Sequence, residues 1–407
     1  MTSRIVIVGA GMATAYLLQE LAQHRHALDI SVIGEEARGC YNRVLLSGVL
    51  AGENSESDLD MLDDLEGCPG VNFFLGTRVD KIDLTLRTVT TDGGKTLPYD
   101  YLVFATGALI ARPKLDTAGA GGVEALRTLD DVVRLKNMAV KGGRAIVVGG
   151  GLLGLEAAHG LNELGLATTV LHRRPWLMNR QLDREGGELL QSILEHKGIE
   201  FCLEDSVAAL HLDGQRLRGI RLEGGQEQGC DLLVFATGIK PNKALPQLAG
   251  LACDRGVLVD ENMRASDDRC YALGECSQMG EQCFGLVAPI RRQAAVLARQ
   301  LARVPGEGYT PGESATQLKI AGVEIFSAGP VDMAGEALLV RDRVRGVYRR
   351  LVLREGRLVS AVLVGDKREG NWYQELISSG ADVSALRRHL MFGRDVCNAV
   401  RQTARAA

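Results

Sequence analysis

The chain repeats one local pattern, and that repeat limits its fold more than any bulk property does. The β-branched run Ile5-Val6-Ile7-Val8 leads directly into Gly9-Ala10-Gly11-Met12-Ala13-Thr14, and Leu17, Leu18 and Leu21 then recur at helical spacing. Ala145 to Val148 runs in the same way into Gly149-Gly150-Gly151-Leu152-Leu153-Gly154, with a helical pattern through Leu164. Each copy has a second apolar strand, Ile30 to Ile33 and Thr168 to Leu171, and each closes on Phe-Ala-Thr-Gly, ending at Gly107 and Gly238. Glycine turn and closing motif stand about ninety residues apart in both copies, which argues for a duplicated α/β domain.

A strand that turns straight into a helix directs the helix's free N–H groups and positive dipole end at one spot, where a pyrophosphate is stabilised. Gly9 and Gly11 fill the first two positions of the dinucleotide fingerprint, but Thr14 stands at the third, so the packing of helix on strand must accept a larger side chain. Gly149, Gly151 and Gly154 fill all three. The alternative for either turn alone is a tight packing turn. Glu35 and Glu36 follow the second strand of the first copy, where a carboxylate accepts hydrogen bonds from ribose hydroxyls. The second copy has His172-Arg173-Arg174 there. Two guanidiniums bind a 2′-phosphate that a carboxylate repels, which favours NADPH over NADH. A solvated acidic turn and a solvated basic loop before Pro175 are the bland alternatives.

A chain of 407 residues exceeds one compact core and implies two or three domains. The net charge of −4 carries no basic surplus for a phosphate backbone or an anionic membrane, so nucleic acid is excluded as the expected partner. No segment approaches the ~20 apolar residues of a membrane span, and the start shows no cationic leader, which reads as a cytoplasmic protein. The nine cysteines, at 40, 68, 202, 230, 253, 270, 276, 283 and 397, include no Cys-x-x-Cys pair, and the cluster Cys270, Cys276 and Cys283 fits no iron–sulfur spacing. The seven histidines show no zinc pattern, so no metal site is expected.

Beyond Gly238, Pro241 and Pro246 mark a connection, the strand Gly256 to Val259 follows, and Tyr271-Ala272-Leu273 leads into Gly274-Glu275. A helix is expected over Ile290 to Leu301 and a linker over Val304 to Gly312. Leu318 to Val364 alternates like antiparallel strands, and Trp372 to Ser378 and Ala385 to Leu390 read as helices, giving a smaller C-terminal α+β domain.

These residues together resemble the two-dinucleotide flavoprotein reductases, which include rubredoxin reductases, ferredoxin reductases and the pyridine nucleotide-disulfide oxidoreductases. Gly39 to Gly52, the run from Gly149, Leu177 to Gly187, Tyr271 to Cys276, Phe284 to Pro289 and the stretch Leu363 to Gly393 are most similar to the flavin module of NAD(P)H-dependent assimilatory nitrite reductase. The resemblance implies two Rossmann-like domains of glutathione-reductase type: a discontinuous FAD domain at 1–112 and 241–310, an NAD(P)H domain at 113–240, and the α+β domain at 311–407. It implies FAD held by Gly9, Gly11, Met12, Ala13, Glu35, Glu36, Arg43, Ser47, Val79, Ala105, Thr106, Gly107, Gly274 and Glu275. NADPH or NADH would lie on Gly149, Gly151, Leu152, Leu153, Gly154, His172, Arg173, Arg174 and Gly238. Glu156 would contact the nicotinamide amide, and the helix after Pro289 would aim its N-terminus at the flavin, so these two residues are the catalytic candidates.

The departures narrow the reading. Gly48 stands where ferredoxin-type relatives often carry lysine, so no lysine pairs with Glu156, and Glu275 stands where many carry aspartate. By the same resemblance the redox-cysteine position of disulfide reductases falls at or near Val44 rather than at Cys40, which disfavours dithiol chemistry. Cys397-Asn398 looks like the opening of a cluster module that is not completed, and one thiolate cannot hold a cluster. Electrons are therefore expected to leave for a partner protein: the catalytic subunit of a nitrate or nitrite reductase, or a rubredoxin or ferredoxin. A nucleotide-binding redox sensor with little turnover is the alternative of another class. Arg341, Arg343, Arg345, Arg349 and Arg350, beside an apolar turn at Trp372 and Tyr373, are the expected docking surface.

Overall fold

The structure, a computed structural model, describes residues 2–24, 28–61, 70–111, 115, 117, 119–312 and 315–406, with side chains to residue 402. Cys68 lies outside the described residues. Two compact units emerge: one made of 1–49, 54–111 and 239–312, the other of 50–53, 112–238 and 313–407.

The first unit is built on a five-stranded parallel sheet in the order Cys270–Ala272, Tyr101–Phe104, Ser3–Val8, Leu28–Ile33, Val71–Phe74. A parallel sheet is covered on both faces, which is why Ile5 to Val8 are apolar without alternation and all buried. One face packs Leu17, Leu18 and Leu21 of helix Met12–Ala22 against Leu297 and Leu301 of helix Val287–Leu301. The other face meets a small antiparallel sheet, Val79–Asp83, Thr88–Thr91 and Thr96–Pro98, through Val79, Ile82 and Val89. The long helix starts at Val287, three residues before the expected Ile290. Pro289 therefore lies inside its first turn, where a missing N–H breaks no intrahelical bond.

The second unit repeats the plan. Its parallel sheet runs Val123–Ala125, Leu232–Phe235, Arg144–Val148, Ala167–His172, Ile199–Leu203, and it too carries a three-stranded antiparallel sheet, Val207–Asp213, Arg216–Leu222 and Glu227–Gly229. Only the provenance of one outer strand differs: Cys270–Ala272 comes late in the chain, whereas Val123–Ala125 comes early.

Residues beyond 315 form a five-stranded antiparallel sheet in the order Thr316–Ile320, Val323–Ala328, Arg357–Val364, Val347–Arg354, Glu336–Asp342. Helix Gly370–Ser379 lies on it, contributing Trp372, Tyr373 and Leu376 to a core with Phe326 and Leu363. The expected helix over Ala385 to Leu390 is instead two single turns, Ser384–Leu386 and Leu390–Phe392. The backbone closes shorter turns, Leu386 N–H donating to Val383 O and His389 N–H to Leu386 O, both at 2.8 Å, while Tyr373 Oη donates to Leu390 O at 2.8 Å and Arg349 Nη1 to Met391 O at 2.7 Å beyond them. A further helix, Arg394–Ala406, follows and buries Cys397, whose thiol pKa is raised by that burial. Cys397 is a core residue here.

The expected docking surface forms only in part, since Arg341, Arg343 and Arg345 are exposed. Arg349 and Arg350 have side chains only 12% and 18% exposed and bond to Met391 O and Val331 O, while Trp372 and Tyr373 are buried. Arg341 pairs with Glu185 and Arg345 with Asp342.

Hydrogen bonding from Arg368 holds the Asp366 carboxyl down at about 2, with Arg349 Nη2 3.8 Å away adding to it. A depressed acid stabilises the fold above its unfolded pKa and loses that contribution as pH falls toward its folded pKa. Because Arg368 is exposed, the contribution is discounted to about 1 kcal/mol. Thermal melts of the unmutated protein and Asp366→Asn are expected to differ by that amount at pH 7 and to converge between about pH 4 and pH 2; a constant difference across that window refutes the assignment.

Candidate functional site

The two glycine turns are superposable in their hydrogen bonding. Gly9 N–H donates to Ile33 O and Gly149 N–H to Leu171 O, both at 2.8 Å, and Val8 and Val148 face Ile33 and Leu171 in register. Gly9 has φ +114 and Gly149 φ +130, and a Cβ on either would lie 2.2 or 2.3 Å from the carbonyl oxygen of Ala105 or Ala236. Each turn is thus wedged against its own Phe-Ala-Thr-Gly segment, which explains why the motifs occur as pairs. Gly11 and Gly151, by contrast, have open space where a Cβ would stand. Each is the N-cap of its helix with no side-chain cap, so the first N–H groups above Met12 and Ala13, and above Leu152 and Leu153, face that opening.

At the third position the copies differ. A Cβ on Gly154 would meet Gly149 O at 1.8 Å. Thr14 keeps its Cβ in the first copy and donates its hydroxyl to Gly9 O at 2.6 Å, so a hydrogen bond replaces the glycine contact.

The shared register aligns Gly34 with His172, Glu35 with Arg173 and Glu36 with Arg174. The charges beyond the two second strands are therefore opposite at corresponding places. Glu35 is exposed, whereas Glu36 is drawn inward by Tyr41 Oη at 2.6 Å and by the Arg43 guanidinium. His172 also turns inward: its Nδ1 accepts from Gly150 N–H at 3.1 Å, and burial lowers its pKa, with Arg173 and Arg174 adding to the effect. A neutral imidazole thus braces the turn. Arg173 and Arg174 are exposed, and among the described residues neither has an acidic partner.

Gly274 anchors part of the remaining candidate set of the first unit. Its N–H donates to Gln293 Oε1 at 2.8 Å, its carbonyl accepts from Ser277, and a Cβ on it would lie 3.1 Å from the Ala13 side chain at the start of the first helix. Glu275 is half-buried and acts on Arg43. Burial works against the Arg43 charge, but Tyr41, Glu36 and Glu275 outweigh it and hold the pKa up. Thr106 donates to Asn242 O at 2.7 Å, and Asn242 N–H returns a bond to Gly107 O. Val79 and Ala105 are buried, and Ser47 lies half-buried in helix Leu46–Ala51. In the second unit Glu156 is half-buried in helix Leu152–Glu163, and Gly238 follows strand Leu232–Phe235.

Sequence reading missed Gln293 and Asn242. Gln293 was detectable as a polar residue inside the apolar face Ile290, Ala294, Leu297; Asn242 acts through its backbone and leaves no signal in its side chain. The space beside Gly48 is filled by Asn54, whose Oδ1 would be 2.1 Å from a Cβ there, so the lysine of some relatives has no room without rearrangement. The Cys40 thiol is buried, with its pKa pushed by that burial to about 12, which removes it as a nucleophile. Among the described residues no group of three or more His, Cys, Asp or Glu could hold a metal ion.

Residues 3–297 match the pyridine nucleotide-disulphide oxidoreductase family, and residues 315–381 match the rubredoxin NAD+ reductase C-terminal domain. The chain belongs to the pyridine nucleotide-disulphide oxidoreductase family. Among its relatives, a nitrite reductase [NAD(P)H] of Bacillus subtilis is 38% identical over 385 residues, covering 94% of this chain and 48% of the relative. An assimilatory nitrate reductase electron transfer subunit of the same organism is 35% identical over 392 residues, covering 95% and 51%. The chain thus spans about half the length of these curated relatives. The crystal structure of a covalent putidaredoxin reductase–putidaredoxin complex shares the fold, with a TM-score of 0.87 at 21% identity over 100% of this chain and 99% of that one. Val44, near which the sequence reading placed the redox cysteine of disulfide reductases, is 56% exposed.

The contrast between wedged and open glycines is measurable in the protein without ligands. Gly9→Ala is expected to destabilise by roughly 2–4 kcal/mol through the clash with Ala105. Gly11→Ala should cost about 1 kcal/mol or less, the loss of a favourable N-cap residue. Equal losses in thermal or denaturant unfolding would show that the opening at Gly11 is not there.

Proposed function

We propose that this oxidoreductase uses FAD on the first glycine turn and NADPH on the second, and passes electrons to a partner protein, as the electron-transfer component of an assimilatory nitrate or nitrite reductase system. The observation that carries the reading is the pair of superposable turns whose flanking charges are opposite: Glu35 at one, Arg173 and Arg174 at the other. A carboxylate suits the ribose hydroxyls of an adenosine without a 2′-phosphate, and paired guanidiniums suit an adenosine with one. In this reading residues 1–112 and 241–310 form the FAD domain, 113–240 the NADPH domain and 311–407 an accessory α+β domain.

The residues fit the two dinucleotides. Openings at Gly11 and Gly151 let a pyrophosphate reach uncapped helix N-termini, and the fully buried Gln293 has an Nε2 donor without a partner among the described residues beside Gly274. Bound FAD would supply the chemistry that links a two-electron hydride donor to one-electron acceptors. Arg43 neutralises pyrophosphate charge while Glu36 and Tyr41 fix its direction, and Glu275 with Gly274 lines the approach to the ribityl chain. Pro289 sits in the first turn of helix Val287–Leu301, whose positive end favours electron density placed before it. Glu156 orients the nicotinamide amide.

The similarity to nitrite reductases and to a nitrate reductase electron transfer subunit supports the choice of acceptor system. A second reading, reduction of a rubredoxin or ferredoxin, is favoured by the match of residues 315–381 to a rubredoxin reductase domain. The eight described cysteines are free thiols, which supports a reducing, cytoplasmic setting, and among the described residues no helix is long and apolar enough to cross a membrane.

Purified protein is expected to be yellow, to release FAD on denaturation and to bleach rapidly with NADPH; slow bleaching would favour a redox sensor with little turnover. Arg173→Ala with Arg174→Ala should lower kcat/KM for NADPH roughly ten- to a hundredfold and spare NADH, on the scale of charge-assisted contacts. Equal kcat/KM for both nucleotides in the unmutated protein refutes the assignment of the second turn. One-electron dyes should be reduced fast and disulfides slowly. Adding a nitrite reductase catalytic partner or a rubredoxin then decides between the two acceptors.

A further inference from the structure

We propose that Tyr348, in the C-terminal sheet, is a positioning residue for nucleotide choice: through Asp183 it holds the loop that carries Arg173 and Arg174. The inference rests on the reading of those arginines as ligands of a 2′-phosphate.

The loop between strand Ala167–His172 and helix Arg184–Glu195 has no regular structure, yet it is fixed at both ends. At its start Gly150 is gripped twice, donating its N–H to His172 Nδ1 and accepting from Met178 N–H at 2.8 Å. In its middle Trp176 Nε1 donates to Leu182 O at 3.0 Å, and Gln181 and Leu182 both donate to Met178 O. Trp176 and Leu177 lie so close to the following helix that a Cβ on Gly187 would approach them to 2.6 and 2.8 Å. Hydrogen bonds and close packing thus link the glycine turn, the loop that carries the arginines and the helix start.

At its far end the loop is tied to another part of the same unit. Asp183 is the N-cap of the helix, and its Oδ2 accepts from Tyr348 Oη at 2.5 Å with Arg350 Nε 3.7 Å away. Arg341 pairs with Glu185 two residues further on. Tyr348 and Arg350 both belong to strand Val347–Arg354, and Tyr348 is 2% exposed. A cap needs only a side-chain oxygen for the helix N–H groups. The charged second oxygen of Asp183 faces the sheet and takes a buried phenol, a bond that capping alone does not require.

Tyr348→Phe removes that hydroxyl and keeps the ring. The probes are 2′,5′-ADP, which has the 2′-phosphate, and ADP-ribose, which does not, measured by calorimetry with the FAD-loaded protein. The variant is expected to weaken 2′,5′-ADP roughly fivefold or more, the scale of a hydrogen bond to a charged group, and to leave ADP-ribose within about twofold. Asp183→Asn, which retains the cap, should act in the same direction. Amide hydrogen exchange at Met178, Gln181 and Leu182 should quicken in both variants, and in an Arg173→Ala, Arg174→Ala background Tyr348→Phe should add nothing to the loss of 2′,5′-ADP binding. Equal weakening of the two probes, or unchanged binding and exchange, overturns the proposal. If the unmutated protein binds the two probes equally, the reading of the arginines is overturned, whereas faster exchange in the variants would still show the tie between sheet and loop.

Discussion

The whole architecture depends on a backbone contact that only glycine permits. Gly9 and Gly149 each press against the carbonyl of the alanine that follows the neighbouring strand, so closely that no side chain fits between. That contact closes the strand-to-helix turn, sets the helix over the parallel sheet and brings the Ala-Thr-Gly segment to the mouth of the turn. One residue pair further, Gly11 and Gly151 leave room for a ligand. Rigidity and access are thus divided between neighbouring glycines of one motif, which lets a ligand bind without reorganising the strands beneath it.

The duplicated fold was legible because its signals are local. A strand buried on both faces must be apolar throughout, and the turn that follows must be glycine, so Ile5 to Gly11 and Ala145 to Gly151 state their structure in a dozen residues. Signals that depend on distant partners were not legible. Nothing near Ala385 to Leu390 tells that Tyr373 and Arg349 will capture the carbonyls of Leu390 and Met391, and helical periodicity alone favours a continuous helix there. The arginine run at 341 to 350 has the same lesson. On a strand, neighbouring side chains point to opposite faces, so Arg349 and Arg350 become separate internal ties while Arg341, Arg343 and Arg345 stay exposed.

Site residues divide along the same line. The positions of Glu35, Arg173 and Arg174 follow from counting beyond the second strand of each copy. The inward turns of Glu36 and His172 do not, since they depend on Tyr41, Arg43 and Gly150. His172 belongs by sequence to a cationic cluster, but by structure it is a neutral brace, because a buried imidazole beside two guanidiniums keeps Nδ1 free to accept. Thr14 shows the opposite case: a mismatch to the fingerprint that the fold absorbs by making its hydroxyl bond to Gly9.

The two parallel sheets have the same strand order but differ in where the outer strand lies along the chain, and this bears on the order of folding during synthesis. The second sheet is complete once Leu232–Phe235 has emerged, because its outer strand Val123–Ala125 has already been made. The first sheet must wait for Cys270–Ala272 before Tyr101–Phe104 gains its outer neighbour. The outer edge of Tyr101–Phe104 thus stays unpaired in its own sheet while the strands of the second sheet are being made. That edge is the segment of the chain most in need of a chaperone's cover.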